Sequence, residues 1–109
     1  MTYVKLNGVL YPAEISGKAF DKEWDNRASK EITLEIDHAT ASGLFVSGME
    51  WAIVEQILEG AETIETEWDN SEYSIAGDIT DHRDGTITAK MGKLTALEEA
   101  YELLLGGVE

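Results

Sequence analysis

The sequence predicts one α+β domain over residues 1–109. It is a single antiparallel sheet built from hairpins, with a C-terminal helix and one short middle helix packed on it. Three observations carry this. Asn7-Gly8 and Arg83-Asp84-Gly85 are turn signatures set between alternating apolar runs. Thr95-Ala96-Leu97-Glu98 is a capping box that opens an apolar stripe at helical spacing. The chain has 109 residues, 43% of them hydrophobic, enough for one core that buries about two thirds of the unfolded surface.

The first hairpin runs from Tyr3 to Ile15. Asn7-Gly8 suits the two central positions of a type I′ turn, which need positive φ. A two-residue turn pairs Leu6 with Val9 and Val4 with Tyr11, putting four apolar side chains on one face. Pro12 has no N–H to give a ladder, so that part of the strand should face an edge. Ser16 to Ser29 is polar and turn-rich, with Phe20 and Trp24 as apolar anchors, and reads as a loop or a short irregular strand. Glu31 to Asp37 alternates: Ile32, Leu34 and Ile36 inward, Glu31, Thr33, Glu35 and Asp37 outward.

Asp37 is placed to cap a short helix over roughly residues 38–46, with Leu44 and Phe45 packing inward and Ser47-Gly48 ending it. Met49 to Gln56 is open between strand and helix, although Trp51, Ile53 and Val54 favour a strand. Glu59 to Asn70 holds five acids with scattered apolar residues and reads as an exposed connection. Tyr73–Thr80 and Thr86–Met91 form a second hairpin. A three-residue loop, Arg83-Asp84-Gly85, pairs Ile79 with Ala89 and Gly77 with Met91, as a type I turn closed by a left-handed Gly85. In the last helix, Leu97, Ala100, Tyr101 and Leu104 make an apolar stripe, expected to pack on Ile32, Leu34 and Ile79. Gly106-Gly107 ends it.

The formal net charge is −14, from 22 acids against eight bases. The span Glu31–His82 holds thirteen of those acids and no Lys or Arg. It also holds Ile32, Leu34, Ile36, Leu44, Phe45, Trp51, Ile53, Val54 and Ile57, so the charge belongs on a folded surface rather than an acidic tail. Such a surface repels nucleic-acid phosphate and anionic lipid, and can occupy a basic groove on a protein. Candidate contacts are Glu55, Glu59, Glu62, Glu65, Glu67, Trp68, Asp69 and Glu72. The plain alternative is an acidic surface that only maintains solubility.

The absence of cysteine excludes disulfides, thiolate metal sites and a Cys nucleophile. The N-terminus has no apolar signal segment, and no apolar run is long enough to span a membrane. Together these fit a cytoplasmic protein. The histidines, His38 and His82, have acids nearby, and an enzyme would need a pocket around one of them. The spacing of Asp78, Asp81 and Asp84 fails the calcium-loop pattern. No catalytic set, metal site or cofactor is expected. Glu23-Trp24-Asp25-Asn26 recurs as Glu67-Trp68-Asp69-Asn70, but the apolar alternation shifts from even to odd positions between the copies. Chance explains this echo better than duplication.

The segments Glu23–Phe45 (EWDNRASKEITLEIDHATASGLF) and Gly77–Leu105 (GDITDHRDGTITAKMGKLTALEEAYELLL) resemble small acidic proteins encoded by prophages of gut-type Firmicutes. The likeness covers about half the chain and carries no catalytic signature. It implies a non-enzymatic antagonist of host defence, such as an anti-CRISPR protein, acting in the host cytoplasm on a nucleic-acid-binding nuclease. The other role it implies is a virion or tail-assembly component.

Overall fold

The computed structural model describes the backbone of residues 1–106 and the side chains of residues 1–104. The elements are β1 (Thr2–Leu6), β2 (Val9–Asp21), β3 (Arg27–Leu34), α1 (His38–Leu44), β4 (Trp51–Glu59), β5 (Glu62–Asp69), β6 (Ile75–Asp81), β7 (Ile87–Gly92) and α2 (Ala96–Gly106). The fold is α+β, as expected: one seven-stranded antiparallel sheet in the order β5-β4-β1-β2-β3-β7-β6, with a middle helix and a C-terminal helix.

β2 joins the two halves of this sheet. Its start pairs with β1, through Leu6↔Val9 and Val4↔Tyr11, in the register expected of the Asn7-Gly8 turn. Asn7 and Gly8 both have positive φ, 52° and 80°. From Ala13 onward β2 pairs with β3 instead. A two-residue turn makes Leu6 and Val9 a hydrogen-bonded pair, so by alternation Tyr3 and Pro12 are not one. The Pro12 nitrogen therefore points away from β1, towards the side where the ladder with β3 has already ended. Proline thus sits inside a central strand at a place where no donor is needed.

The segment expected to be a loop or a short irregular strand over Ser16–Ser29 is the far half of β2, a tight turn and the start of β3. It escaped the alternation test because these strand residues are mostly polar or exposed, so the ladder to β3 defines them.

The core is drawn from both halves. Val4, Leu6 and Trp51 come from one, Ile32, Leu34, Ile87, Ala89 and Met91 from the other, and Ala41 and Phe45 from α1 and its end. Asp37 caps α1 as expected, its Oδ1 accepting from the Thr40 N–H at 2.6 Å. Residues 51–59 resolve as strand. Glu59–Asn70 is exposed as far as Asp69, as expected, but holds a strand rather than a connection: β5 pairs with β4 from Ala52↔Asp69 to Glu59↔Glu62. Gly60, at φ 64°, occupies the first central position of the two-residue Gly60-Ala61 turn, as type II′ requires.

In the second hairpin Ile79 pairs with Ala89, and the His82 N–H donates to the Thr86 carbonyl, closing the three-residue loop. Gly85 has φ 93°, as expected. Arg83 is also left-handed, at φ 60°, so the loop does not begin as a type I turn. The Asp81 carboxylate holds this conformation by accepting from the Arg83 N–H at 2.8 Å. The expected pairing of Gly77 with Met91 does not occur. A bulge sets Ala76 opposite Met91, and Gly77 and Asp78 together oppose Lys90.

The outer face of the β3–β7 half has a second, polar core. A bulge after Lys18 turns Asp21 onto this face, where it is only 1% exposed. The β2–β3 turn folds back over it, with Asp25 and Asn26 left-handed, and lays Trp24 against Gly77 and Gly92. A Cβ built on Gly92 would lie 2.7 Å from Trp24 Cζ3 and 2.7 Å from Arg27 Cδ. Lys90 Nζ meets Asp21 Oδ2 at 2.6 Å and lies 5.6 Å from the Trp24 ring. The Arg27 guanidinium lies 5.1 Å from that ring and grips Glu98 with two nitrogens, at 2.6 and 3.1 Å.

α2 departs from expectation in its packing. Its capping box forms: the Thr95 N–H donates to Glu98 Oε1 at 2.9 Å, and the Glu98 N–H to Thr95 Oγ1 at 3.2 Å. Yet Leu97, Tyr101 and Leu104 are 81%, 62% and 68% exposed, so the stripe does not cover Ile32, Leu34 and Ile79. Ile32 and Leu34 are buried without it, and α2 is anchored at its first turn through Glu98. Gly106 is still helical, and Gly107 lies outside the described residues.

Gly92→Ala is expected to destabilise by about 1–3 kcal/mol, because the new Cβ collides with Trp24 and Arg27. Leu104→Ala, at an exposed site, is expected to stay within about 0.5 kcal/mol. Urea denaturation of both variants beside the wild type measures the difference.

Candidate functional site

The acids singled out in the sequence gather on β4, β5 and the loop that follows. β4 and β5 carry six of them, Glu55, Glu59, Glu62, Glu65, Glu67 and Asp69, and no base. Every residue of β5 is exposed, and β5 is an outer strand of the sheet. The register divides these side chains between two faces. Glu55, Glu59, Glu62 and Trp68 share the face that leads into the core, while Glu65, Glu67 and Asp69 share the other. The set is therefore a hairpin carrying carboxylates on both sides rather than one flat acidic wall.

Several of these carboxylates have partners. Glu55 accepts from Thr2 Oγ1 at 2.5 Å and from the Met1 amino group at 3.0 Å. Those two bonds, the hydroxyl first, hold its pKa below the ordinary glutamate value. Asp69 is likewise lowered, by the Ser71 hydroxyl at 2.6 Å and the Ser71 N–H at 3.0 Å. Glu67 pairs with Lys5 at 3.0 Å, Glu72 with Lys93 at 3.4 Å, and Glu65 accepts from Gln56 Nε2 at 3.1 Å. Glu59 and Glu62 face each other across the tip and show no ion pair among the described residues. The arrangement offers charge and hydrogen-bond acceptors.

Apolar side chains are exposed within the same hairpin. Trp68 is 51% exposed, beside Ile53 on β4, and Ile57 pairs with Ile64 nearer the tip, both exposed. Leu58 is exposed on the opposite face. The three tryptophans thus have three different settings. Trp51 is in the core, its Nε1–H donating to the Tyr73 carbonyl at 3.0 Å. Trp24 covers the outer polar core, and Trp68 is left to solvent. The tetrapeptide echo is no structural repeat: its first copy is a left-handed turn and its second ends a strand.

His38 begins α1, with Nδ1 3.5 Å from Ser42 Oγ, and His82 sits at the hairpin loop with Nε2 2.7 Å from Thr88 Oγ1. Both are exposed, and neither lines the open groove formed by residues such as Tyr11, Ile15, Leu34 and Glu35. Among the described residues no group of three or more His, Asp or Glu is placed to hold a metal ion. No helix among them is long and apolar enough to cross a membrane. No protein-family model, curated protein or solved structure matches the chain.

Sequence reasoning missed the polar cluster of Asp21, Ser29, Arg27, Lys90 and Glu98. Its strand members are drawn together only by pairing and by the bulge after Lys18, and Glu98 joins them through Arg27. Arg27 holds Glu98 at a pKa of about 2, mainly through the guanidinium hydrogen bonds. Glu98 thus contributes stability that is full above its ordinary value of 4.5 and is lost as pH falls through about 2. Asp21, lowered chiefly by Lys90, acts in the same direction. Thermal unfolding of wild type and Glu98→Gln should therefore differ at pH 6 and converge on acidification towards about pH 2. A gap that persists at the lowest pH would mean that the Glu98 charge is not what the helix anchor uses.

Proposed function

We propose that the chain is a non-enzymatic, protein-binding inhibitor that sets its β4–β5 hairpin against a basic, nucleic-acid-binding surface of another protein. The observation that supports this most is the joint exposure, on one outer hairpin, of five carboxylates and an unburied tryptophan beside the half-buried Glu55, with no cation on either strand. An exposed aromatic within a polar rim is the arrangement of an interface hot spot. The carboxylates supply steering towards a basic partner.

Charge density limits how closely the hairpin can imitate a duplex. Six carboxylates over a nine-residue strand, about 30 Å long, give one charge per about 5 Å. Duplex DNA carries one per about 1.7 Å of axis. Two of the six are partly neutralised by Lys5 and the Met1 amine. The hairpin therefore acts by blocking a groove with combined charge and apolar contact. The resemblance of Glu23–Phe45 and Gly77–Leu105, outside the hairpin, to prophage-encoded proteins makes a CRISPR effector nuclease the first partner to test, in the cytoplasm of the host cell. A virion or tail-assembly role is the second reading, favoured by the exposed stripe of Leu97, Tyr101 and Leu104, which suits symmetric self-assembly.

The test is displacement of nucleic acid from a panel of guide-loaded CRISPR effector nucleases across a salt series. Wild-type affinity should fall about tenfold or more from about 50 to about 200 mM salt. Trp68→Ala should cost about 2 kcal/mol or more of binding. Reversal of Glu59, Glu62 and Glu65 to Lys should abolish displacement while shifting fold stability by only about 0.5 kcal/mol per site. Displacement that ignores salt, or survives the reversal, overturns the inhibitor reading. A concentration-dependent oligomer that binds no nuclease favours the assembly role.

A further inference from the structure

We infer that the free edge of β5 takes an extended segment of the partner as an eighth strand, and that this segment alternates Lys or Arg with apolar residues. The inference rests on the proposed inhibitor role and specifies how the partner is held. Its starting point is the hydrogen-bond phase of the β4–β5 ladder. The Gly60-Ala61 turn makes Glu59 and Glu62 a hydrogen-bonded pair. Counting along the register, the pairs 57/64, 55/66 and 53/68 are also bonded. The Asn70 N–H donating to the Trp51 carbonyl at 2.8 Å fixes the same phase at the other end. The backbone groups of Thr63, Glu65, Glu67 and Asp69 therefore point away from β4. Among the described elements nothing lies beyond them. Unpaired N–H and C=O groups in a row are a template for another strand.

The side chains beside that edge select the occupant. Three of the four residues with free backbone groups are acidic and project onto one face: Glu65, Glu67 and Asp69. The intervening Ile64, Thr66 and Trp68 project onto the other. A strand added here would set alternate side chains beside carboxylates and the others beside Ile64 and Trp68. Opposite charges across a strand pair stabilise it, and like charges directly opposite destabilise it. A second copy of this chain is therefore a poor occupant. In antiparallel self-pairing about Thr66, Glu65 faces Glu67 of the second copy, and each chain carries −14. The same acids serve as the edge's protection against self-pairing and as its recognition of a basic strand.

The test uses the whole protein and two blocked seven-residue peptides of equal composition, one alternating (Lys-Val-Lys-Val-Lys-Val-Lys) and one with the lysines in a block. Amide hydrogen exchange is read residue by residue by NMR. With the alternating peptide, exchange at Thr63, Glu65, Glu67 and Asp69 should slow about tenfold or more. Ile64, Thr66 and Trp68, already bonded to β4, should change little. The block peptide should leave all of them unchanged. The Glu65→Lys, Glu67→Lys double variant should lose this protection and recover it with a Glu-Val alternating peptide. Binding of the alternating peptide without protection of the four amides overturns strand addition while leaving the inhibitor reading intact. That reading stands or falls on displacement from the nuclease. Protection of the same amides in the free protein, with sedimentation as a dimer, overturns the basic-strand occupant in favour of a second copy.

Discussion

The fold depends on β2 serving two ladders in succession. Residues 9–12 bond to β1 and residues 13–21 to β3. The same strand therefore carries the sheet from its β5-β4-β1 side to its β3-β7-β6 side. The core is composed of side chains from both sides, so neither half could bury its own apolar face alone. Each fully buried aliphatic side chain contributes about 1.5–3 kcal/mol. Val4, Leu6, Ile32, Ile87 and Met91 gain that burial only because β2 holds the halves in register. Pro12 sits at the exchange, where its missing donor costs no ladder bond.

A second consequence appears at the far end of β2. The bulge after Lys18 turns Asp21 onto the outer face, and Asp21 then collects Lys90, Ser29 Oγ and the N–H of Glu23. Trp24 closes over this cluster because Gly77 and Gly92 present no side chains beneath its ring. Arg27, held in the same cluster, reaches Glu98 and so sets the position of α2. A helix with an apolar stripe is thus attached by an ion pair at its first turn instead of by burial of the stripe. The chain has few cations, and among the described residues five of the eight are ion-paired: Lys5, Lys18, Arg27, Lys90 and Lys93. The hairpin tip receives none of them.

Features encoded in a few neighbouring residues were legible in the sequence. Asn7-Gly8 set the first register, Gly85 the length of the last loop, Asp37 the start of α1, and Thr95 with Glu98 the start of α2. Features that depend on distant pairing were not. The second half of β2 has mixed or polar positions, so period-two alternation could not reveal it. β5 was hidden for the same reason, although Gly60-Ala61 followed by Ile64, Thr66 and Trp68 at alternate positions was a usable signal. The apolar stripe of α2 reads as a core face in the sequence, because periodicity reports that a face exists and not that anything covers it. The acidic stretch was visible at once, but its division between two strand faces required the register.

The molecule therefore separates a core made by both sheet halves from an outer hairpin whose tip contributes nothing to that core. The direct test is to replace residues 56–65 with Asn-Gly, closing Glu55 on Thr66 as a hydrogen-bonded pair in the existing register. Thermal unfolding and nucleic-acid displacement from a guide-loaded nuclease are then measured on one preparation. A cooperative transition within about 5 °C of wild type is expected, together with loss of displacement. A shortened protein that still displaces the nucleic acid, or one that no longer unfolds cooperatively, would contradict this separation of core and hairpin.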